Sequence, residues 1–170
     1  MMLPLVILGS AGVDGETRKA INIAFAPGMI DLLILAQHHI GGYDYTHGND
    51  EDGFGAVADA MHAANKIVFA TPVYWYAMSA PLKIFFDRLT DLTETRKTQG
   101  KSLAGKKVWV IASGTEEELP EGFEIPFART ATYFGMSYHG IAYLQTGAAA
   151  WRRADGEAAL KRLGAAVVAG

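Results

Sequence analysis

Two stretches carry residue types able to hold an anion and a flat ligand. The first is Gly9-Ser10-Ala11-Gly12-Val13-Asp14-Gly15-Glu16-Thr17. Glycines let a backbone approach a ligand closely, and the free N–H groups at a helix start face an anion. Ser10 and Thr17 add hydroxyl donors, so the segment suits a phosphate, although a plain glycine-rich turn reads the same way. A triphosphate loop needs GxxxxGK[ST], and here Gly15 is followed by Glu16 where the lysine would stand. A dinucleotide fingerprint needs GxGxxG plus an acid after the second strand. Ser10 replaces its first glycine and Ala36-Gln37 its acid, so a monophosphate fits better. Glu16 is the awkward residue. A carboxylate about 5 Å from a phosphate charge is repelled by roughly 3 kcal/mol at an effective dielectric of about 20. A bound phosphate therefore requires Glu16 to offer its N–H inward and turn its carboxylate to water.

The second stretch runs Thr71-Pro72-Val73-Tyr74-Trp75-Tyr76-Ala77-Met78-Ser79-Ala80-Pro81-Leu82-Lys83. Consecutive rings cannot all face one core, so at least one of Tyr74, Trp75 and Tyr76 is expected to line a cleft. Backbone N–H and C=O groups beside such a wall can read the polar edge of a flat aromatic ligand. The competing reading makes these rings a subunit interface or a cap on the core.

Other constellations are weaker. His38, His39 and His47 share a connection with Asp44, Asp50, Glu51 and Asp52, but they lack fixed helical spacing, and a solvated loop is favoured over a metal site. Glu116-Glu117-Glu118 reads as a solvated loop and His62 as a surface or partly packed residue rather than a catalyst, while His139 stays open. No GxSxG elbow supports a hydrolase.

The elements that position these stretches follow from periodicity. Short apolar runs at 3–8, 31–36, 66–71, 107–112 and 136–144 read as five strands. Continuous runs such as Leu32-Leu33-Ile34-Leu35 and Ile67-Val68-Phe69-Ala70 mark strands buried on both faces, as in a parallel sheet between helices. One-sided stripes lie between them: Phe54, Val57, Ala58, Met61; Leu82, Phe85, Phe86, Leu89; Phe123, Phe127, Ala131, Phe134; and Leu160, Leu163, Val167. A first helix is expected near 16–26. Ser79 caps the third helix, with Pro81 in its first turn and Lys83 able to pair with Asp87. Asn49-Asp50 are expected to start the second helix, Gly135 to end the fourth, and Asp155 to cap the last. Strand–helix alternation implies a doubly wound α/β sheet of order 2-1-3-4-5, whose ligands bind where strands 1 and 3 diverge. Both stretches leave strands at that point.

The 170 residues carry a net charge of −3 and no cysteine, and half are apolar. One domain over residues 1–170 is expected, without a basic nucleic-acid footprint, disulfides, thiolate metal sites or a cysteine nucleophile. No apolar stretch approaches the ~20 residues of a membrane span. The start, Met1-Met2-Leu3-Pro4-Leu5-Val6-Ile7-Leu8, reads as a first strand rather than a signal peptide. A cytoplasmic location is compatible with this.

On the two segments Gly9-Ser10…Gly15-Glu16-Thr17 and Thr71-Pro72-Val73-Tyr74-Trp75-Tyr76-Ala77-Met78-Ser79-Ala80-Pro81-Leu82-Lys83…Phe86-Asp87-Arg88, the chain resembles the NADPH-dependent FMN reductase family of flavodoxin-like proteins. The resemblance reaches from strand 1 to strand 5. It implies a flavodoxin-like fold and FMN held by its phosphate on Ser10, Gly12, Gly15, Thr17 and the N–H of Glu16. It also implies a flavin ring edged by Pro72, Val73, Tyr74, Trp75 and Tyr76, with Ser113, Gly114 and Thr115 as a third contact. The family commonly has Arg where Gly12 stands, and Asn or Ser where Glu16 stands. Relatives with an iron–sulfur cluster carry cysteines where this chain has residues 37–45, which rules that cluster out. The implied activity passes reducing equivalents from NAD(P)H through FMN to a small acceptor such as a quinone, an azo compound or free flavin. No separate catalytic residue is implied, and a homodimer or homotetramer is. The alternatives are a flavodoxin-type electron carrier and a flavin-free binding or regulatory module.

Overall fold

The computed structural model describes residues 2–147 and 149–170. Strand β1 (Leu5–Leu8) leads into helix α1 (Glu16–Ala24), β2 (Asp31–Ile34), α2 (Phe54–Ala63) and β3 (Lys66–Tyr74). A two-residue strand β4 (Ala77–Met78) folds back before α3 (Ala80–Arg88) and α4 (Lys97–Ser102). β5 (Lys107–Gly114), α5 (Ile125–Tyr133), β6 (Ser137–Gln145) and α6 (Ala150–Ala169) follow. The sheet order is β2-β1-β3-β5-β6, parallel throughout, with β4 antiparallel to β3. This is the expected flavodoxin-like order with one short strand added.

Alternate residues of the central strands feed two cores. Ile7, Ile67, Phe69, Val108 and Val110 face α2, α3 and α5, where Phe54, Met61, Phe85 and Phe127 are buried. Val6, Leu8, Val68, Ala70 and Ile111 face α1 and α6, where Ile21, Leu160 and Val167 are buried. Both-face burial is why these strands read as continuous apolar runs; each large side chain so covered stabilises the fold by about 1.5–3 kcal/mol.

Several boundaries move. The second strand stops at Ile34, and Leu35–Gln37 form a 3₁₀ turn. The first helix stops at Ala24, with Phe25 already extended. Asn49-Asp50 do not start the second helix; the Asp52 carboxylate accepts the Phe54 N–H at 2.8 Å, so the chain turns helical at Phe54. Asp155 caps nothing, because α6 begins at Ala150, five residues earlier. The polar stretch after residue 93 contains α4, which carries no apolar stripe to announce it. Ser79 does cap α3, Lys83 pairs with Asp87 at 2.6 Å, and Gly135 takes a φ of 68° after α5.

The long connection 38–53 is fastened by Arg88, only 2 % exposed. Its guanidinium donates to Asp52 at 2.6 Å, to Asp91 at 2.7 Å, and to the carbonyls of Gly41 and Asn49. Burial pushes Asp52 up, but Arg88 and the amides of Gly41 and Phe54 outweigh it and hold the carboxyl below the usual aspartate range. Among the described residues no helix is long and apolar enough to cross a membrane.

Candidate functional site

The parallel register brings three strand ends to one edge of the sheet, β3 and β5 running a few residues beyond β1. Leu8 pairs with Ala70, and Pro72 with Ser113, so the chains leaving β1, β3 and β5 emerge side by side at the carboxyl edge of the sheet. That is the switch point of a doubly wound fold.

Residues 9–15 leave β1 and enter α1. Gly9 lacks a Cβ because α3 lies directly on it; an added Cβ would sit 2.6 Å from the Leu82 Cβ. Gly12 and Gly15 have another environment: neither has positive φ, and an added Cβ on either would meet nothing within 4 Å. Open space therefore lies over both. Ser10 is 8 % exposed and its Oγ accepts the Gly12 N–H at 3.3 Å. Gly15 is the N-cap of α1 and supplies no side-chain cap, so the first amides of the helix face the loop. The Glu16 carboxylate pairs with Lys19, three residues further along α1, at 2.6 Å. Thr17 is buried, and its hydroxyl lies 2.7 Å from that of Ser113 at the end of β5, so the first and third stretches touch.

The second stretch is a tight hairpin. Val73 pairs with Met78 and Tyr74 with Ala77, leaving Trp75-Tyr76 as its two-residue turn. Their φ angles are +48° and +65°. Positive φ at both central positions is the type I′ pattern normally filled by Asn-Gly, and it is unfavourable for bulky side chains. The rings stand in the open: Tyr74 is 54 % exposed, Trp75 93 % and Tyr76 65 %. Trp75 is thus no core residue. Pro72 and Val73 belong to β3, not to a loop, and extend its edge beneath the rings.

The third stretch is braced from β6. Gly114 fits between Val73 and Tyr143, whose atoms would lie 3.1 and 2.9 Å from an added Cβ. Its carbonyl accepts the Thr146 N–H at 2.7 Å. Thr115 is exposed, its carbonyl taking the Gln145 amide, while Tyr143 donates to the Glu116 carbonyl at 2.8 Å. Burial, then the neighbouring Glu116, push the Tyr143 phenol up, so it stays a donor. Sequence reasoning missed Tyr143 and Gln145, because their partners lie about 30 residues away.

The remaining candidates lie elsewhere. His47 sits 3.9 Å from Asp91 and 3.6 Å from Glu94, and Tyr43 donates to Glu94, which pushes its phenol up to about 12. Among the described residues no three histidine or acidic side chains gather as a metal site. His62 bonds Ser102, and His139 stacks on Trp109 at 4.8 Å. A cavity of about 470 Å³ beside Lys97, Lys101, Tyr133 and Phe134 opens where α4 and α5 lead into β5 and β6, at the far end of the sheet.

A family model described as NADPH-dependent FMN reductase matches residues 2–119, which span all three stretches. A Bacillus subtilis (strain 168) protein with the provisional name NAD(P)H-dependent FMN-containing oxidoreductase YwqN is 30% identical over 138 residues, 79% of this chain and 73% of that one. The Trp repressor binding protein from Bacillus subtilis superposes with a TM-score of 0.75 at 22% identity, covering 94% of this chain and 96% of that one. An FMN-dependent NADH-azoreductase from Bacillus anthracis, solved in complex with FMN, gives 0.72 at 13% identity, with 97% and 99% covered. At these identities the two structures show a shared fold.

Proposed function

We propose, because the chain belongs to the NADPH-dependent FMN reductase family, that its three neighbouring strand ends hold FMN and that the protein passes reducing equivalents from NAD(P)H to a small acceptor. One observation carries this reading. The uncapped start of α1, the buried hydroxyls of Ser10, Thr17 and Ser113, and three exposed rings all meet at one edge of the sheet. The residues present fit the cofactor: the space over Gly12 and Gly15 is open, and Glu16 is occupied by Lys19.

Each residue then has a task. The amides of Glu16 and Thr17, with the Ser10 and Thr17 hydroxyls, hold the phosphate. Partial positive charge at a helix start adds roughly 0.3–1 kcal/mol for an anion. Ser113 orients the Thr17 hydroxyl. Backbone groups from Pro72 to Tyr76 edge the ring system, and Gly114 and Thr115 border its other side. Tyr74, Trp75 and Tyr76 shape the space where nicotinamide and acceptor alternate and exclude water from it. FMN bound there would supply the two-electron chemistry between NAD(P)H and the acceptor. A quinone, an azo compound or a flavin would suit the flat, aromatic wall. The same exposed rings are apolar surface of the kind that oligomers cover, in keeping with a homodimer or homotetramer. A cytoplasmic location suits NAD(P)H as reductant.

The test is optical. Purified protein titrated with FMN should bind it and bleach on addition of NADPH under nitrogen, then recover its colour with a quinone. Binding without bleaching by NADPH would mark a flavodoxin-type carrier. No binding would leave a flavin-free module.

A further inference from the structure

We infer that Ser79 is a positioning residue that fixes the phosphate loop to the aromatic hairpin, so that one ligand can engage both. The inference rests on the FMN reading above. Ser79 is fully buried, at 0 % exposure, and lies 70 residues from the loop it holds. Its hydroxyl donates to the Gly9 carbonyl, the first carbonyl after β1, and accepts the Leu82 N–H at 3.4 Å. The Ser79 N–H donates in turn to the Thr71 hydroxyl at 3.0 Å, and that hydroxyl donates to the Pro72 carbonyl at 2.9 Å.

Gly9 is held from its other side as well, by its N–H to the Ala70 carbonyl at 2.8 Å and by Leu82 packed against its α-carbon. Both backbone groups of the residue that launches the phosphate loop are thus tied to the strand and helix flanking the hairpin. A serine needed only as a helix cap requires no bond to Gly9. A hydroxyl has one proton to give, and this one goes across to the other loop. The distance between the α1 amides and the edge of the ring site is set through this link. A ligand that carries a ring and a phosphate joined by a chain of fixed length is sensitive to that distance. A ligand lacking the phosphate is not.

The experiment measures dissociation constants for FMN and riboflavin, with urea midpoints, on wild type, Ser79→Ala and Ser79→Thr. Loss of one hydrogen bond of this kind corresponds to roughly tenfold. Ser79→Ala should weaken FMN by about tenfold and riboflavin by less than about twofold, and Ser79→Thr should restore the wild-type ratio. The urea midpoint falls for the lost cap in either case, so the ratio of the two ligands decides. Equal weakening of both ligands, or none, overturns the inference while leaving the cofactor reading intact. Should Ser79→Ala fail to fold, Thr71→Val breaks the same chain one bond earlier and is read by the same ratio. If wild type binds FMN no better than riboflavin, the phosphate reading fails, and the inference with it.

Discussion

Replacing Trp75-Tyr76 by Asn-Gly should make the protein more stable and less active. Both residues hold positive φ, +48° and +65°, in a two-residue turn. The left-handed region costs an L-residue with a Cβ roughly 1–2 kcal/mol, so the pair stores about 2–4 kcal/mol. Asn and Gly occupy such a turn with little strain. Glycine returns roughly 0.5–1 kcal/mol through its greater freedom in the unfolded chain. Little packing is lost, since Trp75 is 93 % exposed and Tyr76 65 %; the covered part of Tyr76 is worth roughly 0.5–1 kcal/mol. The balance is a gain of about 1.5 kcal/mol within a span of roughly 0–3, and the central value is worth roughly 3–6 °C in Tm for a chain of this size.

The assay is calorimetry and urea unfolding of cofactor-free protein, followed by FMN titration and NAD(P)H turnover on the same preparations. The midpoint should rise while kcat/KM for NAD(P)H or acceptor falls by at least about tenfold, because two of the three rings proposed to shape the reacting space are gone. A lower midpoint with unchanged turnover would refute the reasoning: the rings would then be packing groups, and the positive φ angles would cost nothing.

Other outcomes follow from single contacts. Thr17→Ala should cost about 1.5–3 kcal/mol of FMN affinity and leave riboflavin nearly unaffected in isothermal titrations. Glu16→Asn should change FMN affinity by less than about 1 kcal/mol, because the carboxylate is already engaged by Lys19 at 2.6 Å; a larger gain that fades with added salt would show the carboxylate turned toward the phosphate. Asp52→Asn should cost about 1.5–3 kcal/mol in urea unfolding at pH 7, since it removes one charge-assisted hydrogen bond to the buried Arg88 while Asp91 still pairs with the guanidinium. Asp52 also predicts an acid limb. Its native carboxyl lies below the usual aspartate range, so its contribution is complete above that range and is lost as pH falls through the lowered value. Midpoints of wild type and Asp52→Asn should therefore converge as the medium becomes strongly acidic.

Burial on both faces is a local property of a strand, and β1, β3 and β5 announce it in their own residues. The sheet order and the two loops at the switch point were legible for that reason. The hairpin was not. Its turn holds Trp75-Tyr76, the reverse of the Asn-Gly signal by which tight turns are read, so β4 and the extension of β3 to Tyr74 went unseen. Helix α4 has no apolar face to show a period. Arg88 was visible only as part of a motif, since Asp52 and Gly41 reach it from 36 and 47 residues away. Ser79 was legible as a cap, but its bond to Gly9 is a property of the folded sheet.

The same contrast separates the parts of the site. Ser10, Gly15 and Thr17 are singled out by type, because binding a phosphate demands hydroxyls and free amides in close order. The aromatic hairpin was identified by excess, three rings where a core could use one. Its conformation turns that excess into an argument. A turn built from Trp and Tyr at positive φ is unfavourable for folding, and 93 % exposure of Trp75 returns almost no burial to offset it. Strain retained without a packing gain is expected where side chains serve a ligand rather than the fold. In this protein the strain sits in the backbone of two residues whose rings belong to the proposed site, while the frame beneath them, made by Thr71, Ser79 and Gly9, is buried and hydrogen-bonded. The rigid frame allows the turn above it to stay strained.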